Sequence, residues 1–416
     1  MKKLEDYSED IYKCTKCGFC QAICPIYRET RLETAVSRGK FTLLNGILLG
    51  KVGFTPKIGK YLDMCLGCKA CYDFCPAGIN AEEIILAARA KYSSIHGVGW
   101  LKRMLIWLFK SNLRLKLFGA ALNIYKKTGL YAITTILARF LGRVGSVINV
   151  FNAQLKENVR YKKLSAISEQ KSLKIVYFPG CINAYANPSA ANAVKMVLER
   201  NGYKVTVPSD FRCCGIMAMS AGDLDTFREL AAHNVGLIPD DTDVLLTDCA
   251  SCGSAWHNYP DILEGELKLK AETIAQKAVN INEFLDKIQL YIPESTVLNQ
   301  SVTYHDPCHL SRFQKVTEEP RNILRKIPGL EYKEMEDASQ CCGAAGSFCI
   351  AKPEISLAIS KTKAQNIADT GAETVLTSCS GCKIGLAQGM AVSGVQKPIL
   401  SPVELLARLY LQEENE

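Results

Sequence analysis

Two stretches of this sequence, CTKCGFCQAICP at residues 14–25 and CLGCKACYDFCP at 65–76, carry four cysteines at the same intervals and then a proline. Farther along, a cysteine doublet precedes glycine twice, as Cys213, Cys214, Gly215 and as Cys341, Cys342, Gly343. Adjacent cysteines rarely reach disulfide geometry, so each doublet calls for something that two thiolates can share. The N-terminus, MKKLEDYSED, runs into acidic residues without the apolar stretch of a secretory signal, which predicts a cytoplasmic chain. Nineteen cysteines in a reducing compartment point to metal or redox chemistry rather than a disulfide framework.

Both N-terminal runs fit Cys-x2-Cys-x2-Cys-x3-Cys-Pro and resemble the cubane [4Fe-4S] motifs of bacterial ferredoxins, in which the fourth cysteine reaches across to the other cluster. The resemblance implies one cubane on Cys14, Cys17, Cys20 and Cys75, and a second on Cys65, Cys68, Cys71 and Cys24. Structural zinc would not need the fourth cysteine followed by proline. Between the motifs, ETAVSRGKFTLLNGILLGKV has helical apolar spacing,. The arrangement is similar to the helical ferredoxin domains of respiratory iron-sulfur subunits.

The formal net charge of +8 is unevenly placed: residues 84–156 hold twelve Lys or Arg and no Asp or Glu, leaving −4 for the rest. Such asymmetry predicts a surface that meets an anionic partner. Leu101, Met104, Leu105 and Leu108 follow helical spacing, with Lys102, Arg103 and Lys110 elsewhere, and the segment carries Trp100, Trp107 and Phe109,. A second apolar stretch, GLYAITTILARFLGRVGSVINVF, is broken by Arg139 and Arg143; its uncharged run falls short of the ~20 residues that span a bilayer. The pattern predicts helices lying in an anionic membrane interface, with docking on an acidic partner protein as the alternative. No recognised nucleic-acid motif is present.

From about Lys171 the texture becomes α/β: LKIVYFPGC, DVLLTDCASC, SVTYHDPC and ETVLTSCSGC each read as a buried strand running straight into cysteine,. Ligands of open α/β sheets bind beyond the carboxyl ends of strands. The chain also repeats itself. Cys181, Cys213, Cys214, Cys249 and Cys252 correspond to Cys308, Cys341, Cys342, Cys379 and Cys382 at offsets of 127 to 130 residues, and INEFLDKI and SPVELLARL close the two copies. Two similar lobes related by a pseudo-twofold axis are expected. Five thiolates exceed what a cubane cluster or zinc uses, and each glycine would let the backbone turn tightly against the bound group.

This second pattern resembles the CCG (cysteine-rich) domain found in heterodisulfide reductases, in glycolate oxidase iron-sulfur subunits and in anaerobic glycerol-3-phosphate dehydrogenase. The order of the whole chain, SRGKFTLLNGILLG included, is similar to that of glycolate oxidase and lactate dehydrogenase iron-sulfur subunits. The expected fold is α+β and multidomain: a helical ferredoxin domain (1–95), a basic amphipathic helical segment (96–165), and two pseudo-symmetric α/β CCG domains (166–295 and 296–416). The resemblance implies two cubane clusters plus one or two noncubane [4Fe-4S] clusters, zinc being an alternative in one lobe. Some glycolate oxidase relatives lack cysteines of the terminal Cys-x-x-Cys pairs; here both are intact.

The function implied is single-electron relay in a flavin-dependent 2-hydroxy-acid (glycolate or D-lactate) dehydrogenase. A FAD-containing dehydrogenase subunit or electron-transfer flavoprotein would be the partner, and quinone the other carrier, on the cytoplasmic face of the inner membrane. A heterodisulfide reductase-like catalytic chain, or a relay for glycerol-3-phosphate dehydrogenase, is the alternative. No Walker A loop, Rossmann glycine fingerprint or hydrolase nucleophile motif occurs, and no catalytic side chain is assigned. His305 and His309 flank Cys308 and are candidates for hydrogen bonding to cluster sulfur or proton carriage, against plain structural support. His257 and Trp256, near Cys252, are weaker candidates, and Cys349 reads as a packing thiol.

Overall fold

A computed structural model describes residues 1–138, 161, 164–167 and 171–416. Arg139, Arg143 and most of the second basic stretch lie outside them.

The first part is helical. Phe41 and Leu44 of α1 (Ser37–Leu48) and Ala81, Ile84 and Ala88 of α2 (Ala81–His96) recur at helical spacing and close one apolar core,. Pro25, which follows Cys24, starts the helix Pro25–Thr30, where a missing N–H costs nothing.

Three helices follow: α3 (Trp100–Phe109), α4 (Asn112–Lys127) and α5 (Leu130–Ala138). The buried side of α3 centres on Leu105 and Ile106, while Met104, on the face expected to meet a membrane or partner, is exposed. Two ion pairs tie the helix to its neighbours. Lys102, expected to face elsewhere, reaches Asp63 at 2.6 Å, and Lys110 reaches Glu229 at 2.5 Å. No helix among the described residues is long and apolar enough to cross a membrane.

The remainder is two α/β lobes with the same topology. In the first, β1 (Lys171–Phe178), β2 (Tyr203–Thr206), β3 (Val244–Thr247) and β4 (Ala278–Asn280) form a parallel sheet in the order β2-β1-β3-β4. Helices α6 (Pro188–Arg200), α7 (Ala250–Asn258) and α8 (Ile281–Lys287) accompany it. In the second, β5 (Gln300–Tyr304), β6 (Leu330–Tyr332), β7 (Thr374–Leu376) and β8 (Ile399–Leu400) follow β6-β5-β7-β8, again parallel, with α9 (Glu318–Lys326), α10 (Ser380–Val392) and α11 (Pro402–Glu413). In both sheets the strand order reverses between the two central strands, the position where α/β ligands bind.

The lobes share their cores. Leu198 and Val197 of α6, Phe284 and Leu285 of α8, Ile323 of α9 and Leu406 of α11 belong to one buried cluster. Asn201 also donates to the Tyr410 hydroxyl at 3.0 Å, and Asn322 to Asp286 at 2.9 Å. The helical part docks on both lobes: Arg89 donates to Ser220 O at 3.0 Å in the first, and Arg312 of the second pairs with Asp73 at 3.1 Å.

Candidate iron-sulfur site

Strand ends bring the five thiols of each lobe together. Cys181 follows β1, Cys213 and Cys214 lie beyond β2, and Cys249 precedes α7, which carries Cys252; the second lobe repeats this with Cys308, Cys341, Cys342, Cys379 and Cys382. A π-helical turn follows Cys181 and another follows Cys308, a form found mostly at functional sites. Eight of the ten thiols are buried, and Cys181 and Cys308 are half-buried. Neighbouring thiols set one another's protonation. Hydrogen bonding from Cys181 and Cys214 holds the Cys213 thiol well below its ordinary pKa, and Cys341 and Cys382 do the same for Cys342.

The glycines after the doublets do turn the chain sharply, with φ of +79° at Gly215 and +84° at Gly343. Their bare faces, however, meet neighbouring helices rather than the thiols: a Cβ would lie 2.8 Å from Phe227 and 2.9 Å from Ser356 O. Gly180 is pressed against sulfur. Its φ is +70°, and a Cβ there would lie 2.7 Å from Cys252 Sγ.

The two lobes meet at their Cys-x-x-Cys loops. Cys249 Sγ and Cys379 Sγ are 4.0 Å apart, Ser251 Oγ is 3.4 Å from Cys379 Sγ, and Ala250 N donates to Ser378 O at 2.9 Å. Asp248 sits behind this contact, accepting from Asn183 at 2.7 Å, with its carboxyl pushed up to about 8 by burial and by Cys249.

In the helical part, Cys14, Cys17, Cys20, Cys71 and Cys75 line one cavity together with Ser37 and Arg38. Ser37 donates to Cys71 Sγ at 3.2 Å; burial pushes this thiol up to about 12, with Cys65 and Cys24 close enough to add to the rise. Cys68 stands against the second lobe: burial and then Cys308 raise its pKa, and both cysteines pack on an apolar cluster that includes Ile26, Met64 and Cys341. Sequence reasoning missed Lys40, whose buried ammonium donates to Ala35 O and Met64 O beside Cys65 and Cys24. The place of Lys40, one residue before Phe41 and on the side of the helix that also buries Leu44, was the available signal.

Around Cys308, Asp306 takes a bidentate pair from Arg321 at 2.9 Å, and Arg321 also binds Glu334, which fixes the loop. His305 is fully buried. His309 is pushed down to about 4 by burial, and its ring packs on Phe313 with centroids 4.5 Å apart. Cys349 is buried and pushed up to about 12. Trp256 is buried against Phe178, whereas His257 is exposed.

Such donor sets suit iron-sulfur clusters: predominantly thiols, converging, and mostly shielded from water. The comparisons agree. The 4Fe-4S dicluster domain family matches residues 10–79, and the cysteine-rich domain family matches 175–255 and 302–387. The chain belongs to the iron-sulfur proteins that join these two domain types.

Among relatives of this dicluster and cysteine-rich type, a probable glycolate oxidase iron-sulfur subunit of Bacillus subtilis is 27% identical over 93% of this chain and 90% of its own. A fumarate reductase (CoM/CoB) subunit of Methanothermobacter marburgensis is 26% identical over 98% of this chain and 74% of its own. A dihydromethanophenazine:CoB–CoM heterodisulfide reductase subunit of Methanosarcina barkeri is 28% identical over 90% and 88%. The chain thus resembles, over most of its length, a glycolate oxidase-type iron-sulfur subunit and a heterodisulfide reductase subunit. All three of these relatives are named as subunits, which implies a partner protein.

Proposed function

We propose that this chain relays single electrons for a flavin-dependent 2-hydroxy-acid dehydrogenase of the glycolate or D-lactate type, between a FAD-containing protein and quinone at an anionic membrane surface. In this reading Cys14, Cys17, Cys20 and Cys75 hold one cubane cluster, and Cys65, Cys68, Cys71 and Cys24 hold the other. The two five-thiol sets each hold a noncubane [4Fe-4S] cluster. Such clusters supply one-electron steps when bound, which suits a partner flavin that collects electrons in pairs.

The observation that carries the reading is the unbroken order of the thiol sets. Cys71 borders the first cavity, Cys68 adjoins Cys308, and Cys379 is 4.0 Å from Cys249. The last member, Cys181, is half-buried and opens the turn on which α4 rests: a Cβ on Gly119 would meet Tyr185 O at 2.5 Å. The relay therefore ends beside the basic helices, where Trp100 is 75% and Trp107 57% exposed.

Anaerobic purification with iron and sulfide counting tests the ligand assignment. About sixteen irons per chain, four per cluster, are expected; about eight, or stoichiometric zinc, would refute the noncubane assignment. One observation favours a second reading, a heterodisulfide reductase-like catalyst: the Cys249–Cys379 contact sets two thiol groups side by side at one place. Disulfide reductase activity of the chain alone, with no flavoprotein co-purifying, would decide for it.

A further inference from the structure

The two five-thiol sites match in cysteines but not in surroundings. Three residues before Cys181 the first lobe has Phe178, and three residues before Cys308 the second has His305. Both side chains are fully buried. Phe178 is satisfied by apolar contact, edge-on to Phe211 at 4.9 Å and to Trp256 at 5.4 Å between centroids.

His305 has no comparable satisfaction. Its backbone N–H donates to Leu376 O at 2.8 Å, which pins the residue at the end of β5. Neither ring nitrogen has a hydrogen-bond partner at ordinary distance; burial lowers the ring's pKa, and Cys342 lies close enough to oppose that fall. A ring nitrogen instead lies with Cys342 Sγ and Cys382 Sγ in a group whose members are all within 4.8 Å of one another. A buried polar group without a good partner is costly, so a histidine placed here is best satisfied by an acceptor that the bound group strengthens. Thiolate sulfur coordinated to iron is such an acceptor, and hydrogen bonds to cluster sulfurs are among the factors that set reduction potential.

We propose that His305 donates an N–H hydrogen bond to the sulfur of Cys342 or Cys382 when the second lobe is loaded, making that site more easily reduced than its Phe178-lined counterpart. This rests on the cluster assignment proposed above. The donor stabilises the added negative charge of the reduced state, whereas the Phe178 ring supplies none. His305 acts here as a positioning and tuning residue, not a ligand. The difference creates a step in potential between adjoining sites, with the second lobe, next to Cys68, as the lower-energy resting place for an electron.

The test uses the full chain, purified anaerobically with its clusters and titrated potentiometrically with EPR detection. His305→Phe reproduces the first lobe's arrangement. It should weaken reduction of the second-lobe site about tenfold, a fall of ~59 mV for one electron, while the first-lobe site keeps its potential and iron content stays constant. His305→Gln, which retains an N–H donor, should recover part of the shift. An unchanged potential at full iron content overturns the proposal. Should His305→Phe lose iron, pulsed EPR of the wild-type chain with 15N-labelled histidine decides. A weak nitrogen coupling on the second-lobe signal is expected; no coupling, or one as strong as a direct iron–nitrogen bond, overturns it. Zinc in the second lobe, or no metal there, would overturn the cluster assignment as well, and metal analysis distinguishes that outcome from failure of the donor role alone.

Discussion

Non-thiol residues decide how well the thiols converge. Gly180 leaves room for Cys252 Sγ at a distance no Cβ would tolerate, in a left-handed conformation. Gly180→Ala should add strain of about 1–3 kcal/mol and displace Cys252. Iron analysis should show about four irons lost per chain, with the EPR signals of the N-terminal clusters unchanged; full iron retention would contradict this account of the site. A second residue gives the chain a pH signature. Glu82 is buried at the start of α2, and burial pushes its carboxyl from 4.5 to about 7, with Lys69 opposing. Between those values the folded chain keeps a proton that the unfolded chain releases, so stability falls as pH rises through that window and is level above it. The slope approaches ~1.4 kcal/mol per pH unit and the total is about 3 kcal/mol. Glu82→Gln removes this dependence. Melting curves of the two proteins should diverge between pH 5 and pH 8 in favour of the variant, and parallel curves would refute the assignment.

At the level of elements, the cysteine-bearing strand ends were legible because buried β-branched runs stopped directly at cysteine. Repeat spacing likewise foretold two lobes with one topology. The ion pairs of α3 were not legible: Asp63 and Glu229, distant in sequence, bind Lys102 and Lys110, while Met104 and both tryptophans stay outside on the face expected to meet a membrane or partner. Long-range ion pairing leaves no trace in local periodicity. What remains outward on α3 and α4 is apolar and basic: Trp100, Trp107, Leu113 and Leu117 with Arg103, Lys116 and Lys127. Such a face should bind vesicles containing anionic lipid and release them as salt rises. Lys116→Ala with Lys127→Ala should weaken binding by about 2 kcal/mol, roughly 30-fold. Sedimentation with anionic vesicles measures this. Binding indifferent to lipid charge and to the two substitutions would instead assign the face to a protein partner.

Across the whole molecule, the sequence suggested which cysteines form sets but not how the sets are joined. Cys68 meets Cys308, 240 positions away, and Cys249 meets its own repeat counterpart Cys379; the repeat pairs the second two by correspondence, but only the fold puts either pair in contact. The same holds for His305: its place in HDPCH marked it as a candidate, but only the fold shows that its ring is buried against Cys342. In the proposed relay these contacts would link the thiol sets into a path from the N-terminal cavity to Cys181. The most direct test of that path is EPR of the anaerobically purified complex mixed with glycolate or D-lactate. The relay account predicts that the iron-sulfur signals of both the N-terminal and lobe sites appear on reduction by the hydroxy acid, only when the flavoprotein is present, and that quinone reoxidises them. Lobe signals that stay silent while the N-terminal sites reduce, or a chain that reduces disulfides with no flavoprotein present, would contradict it.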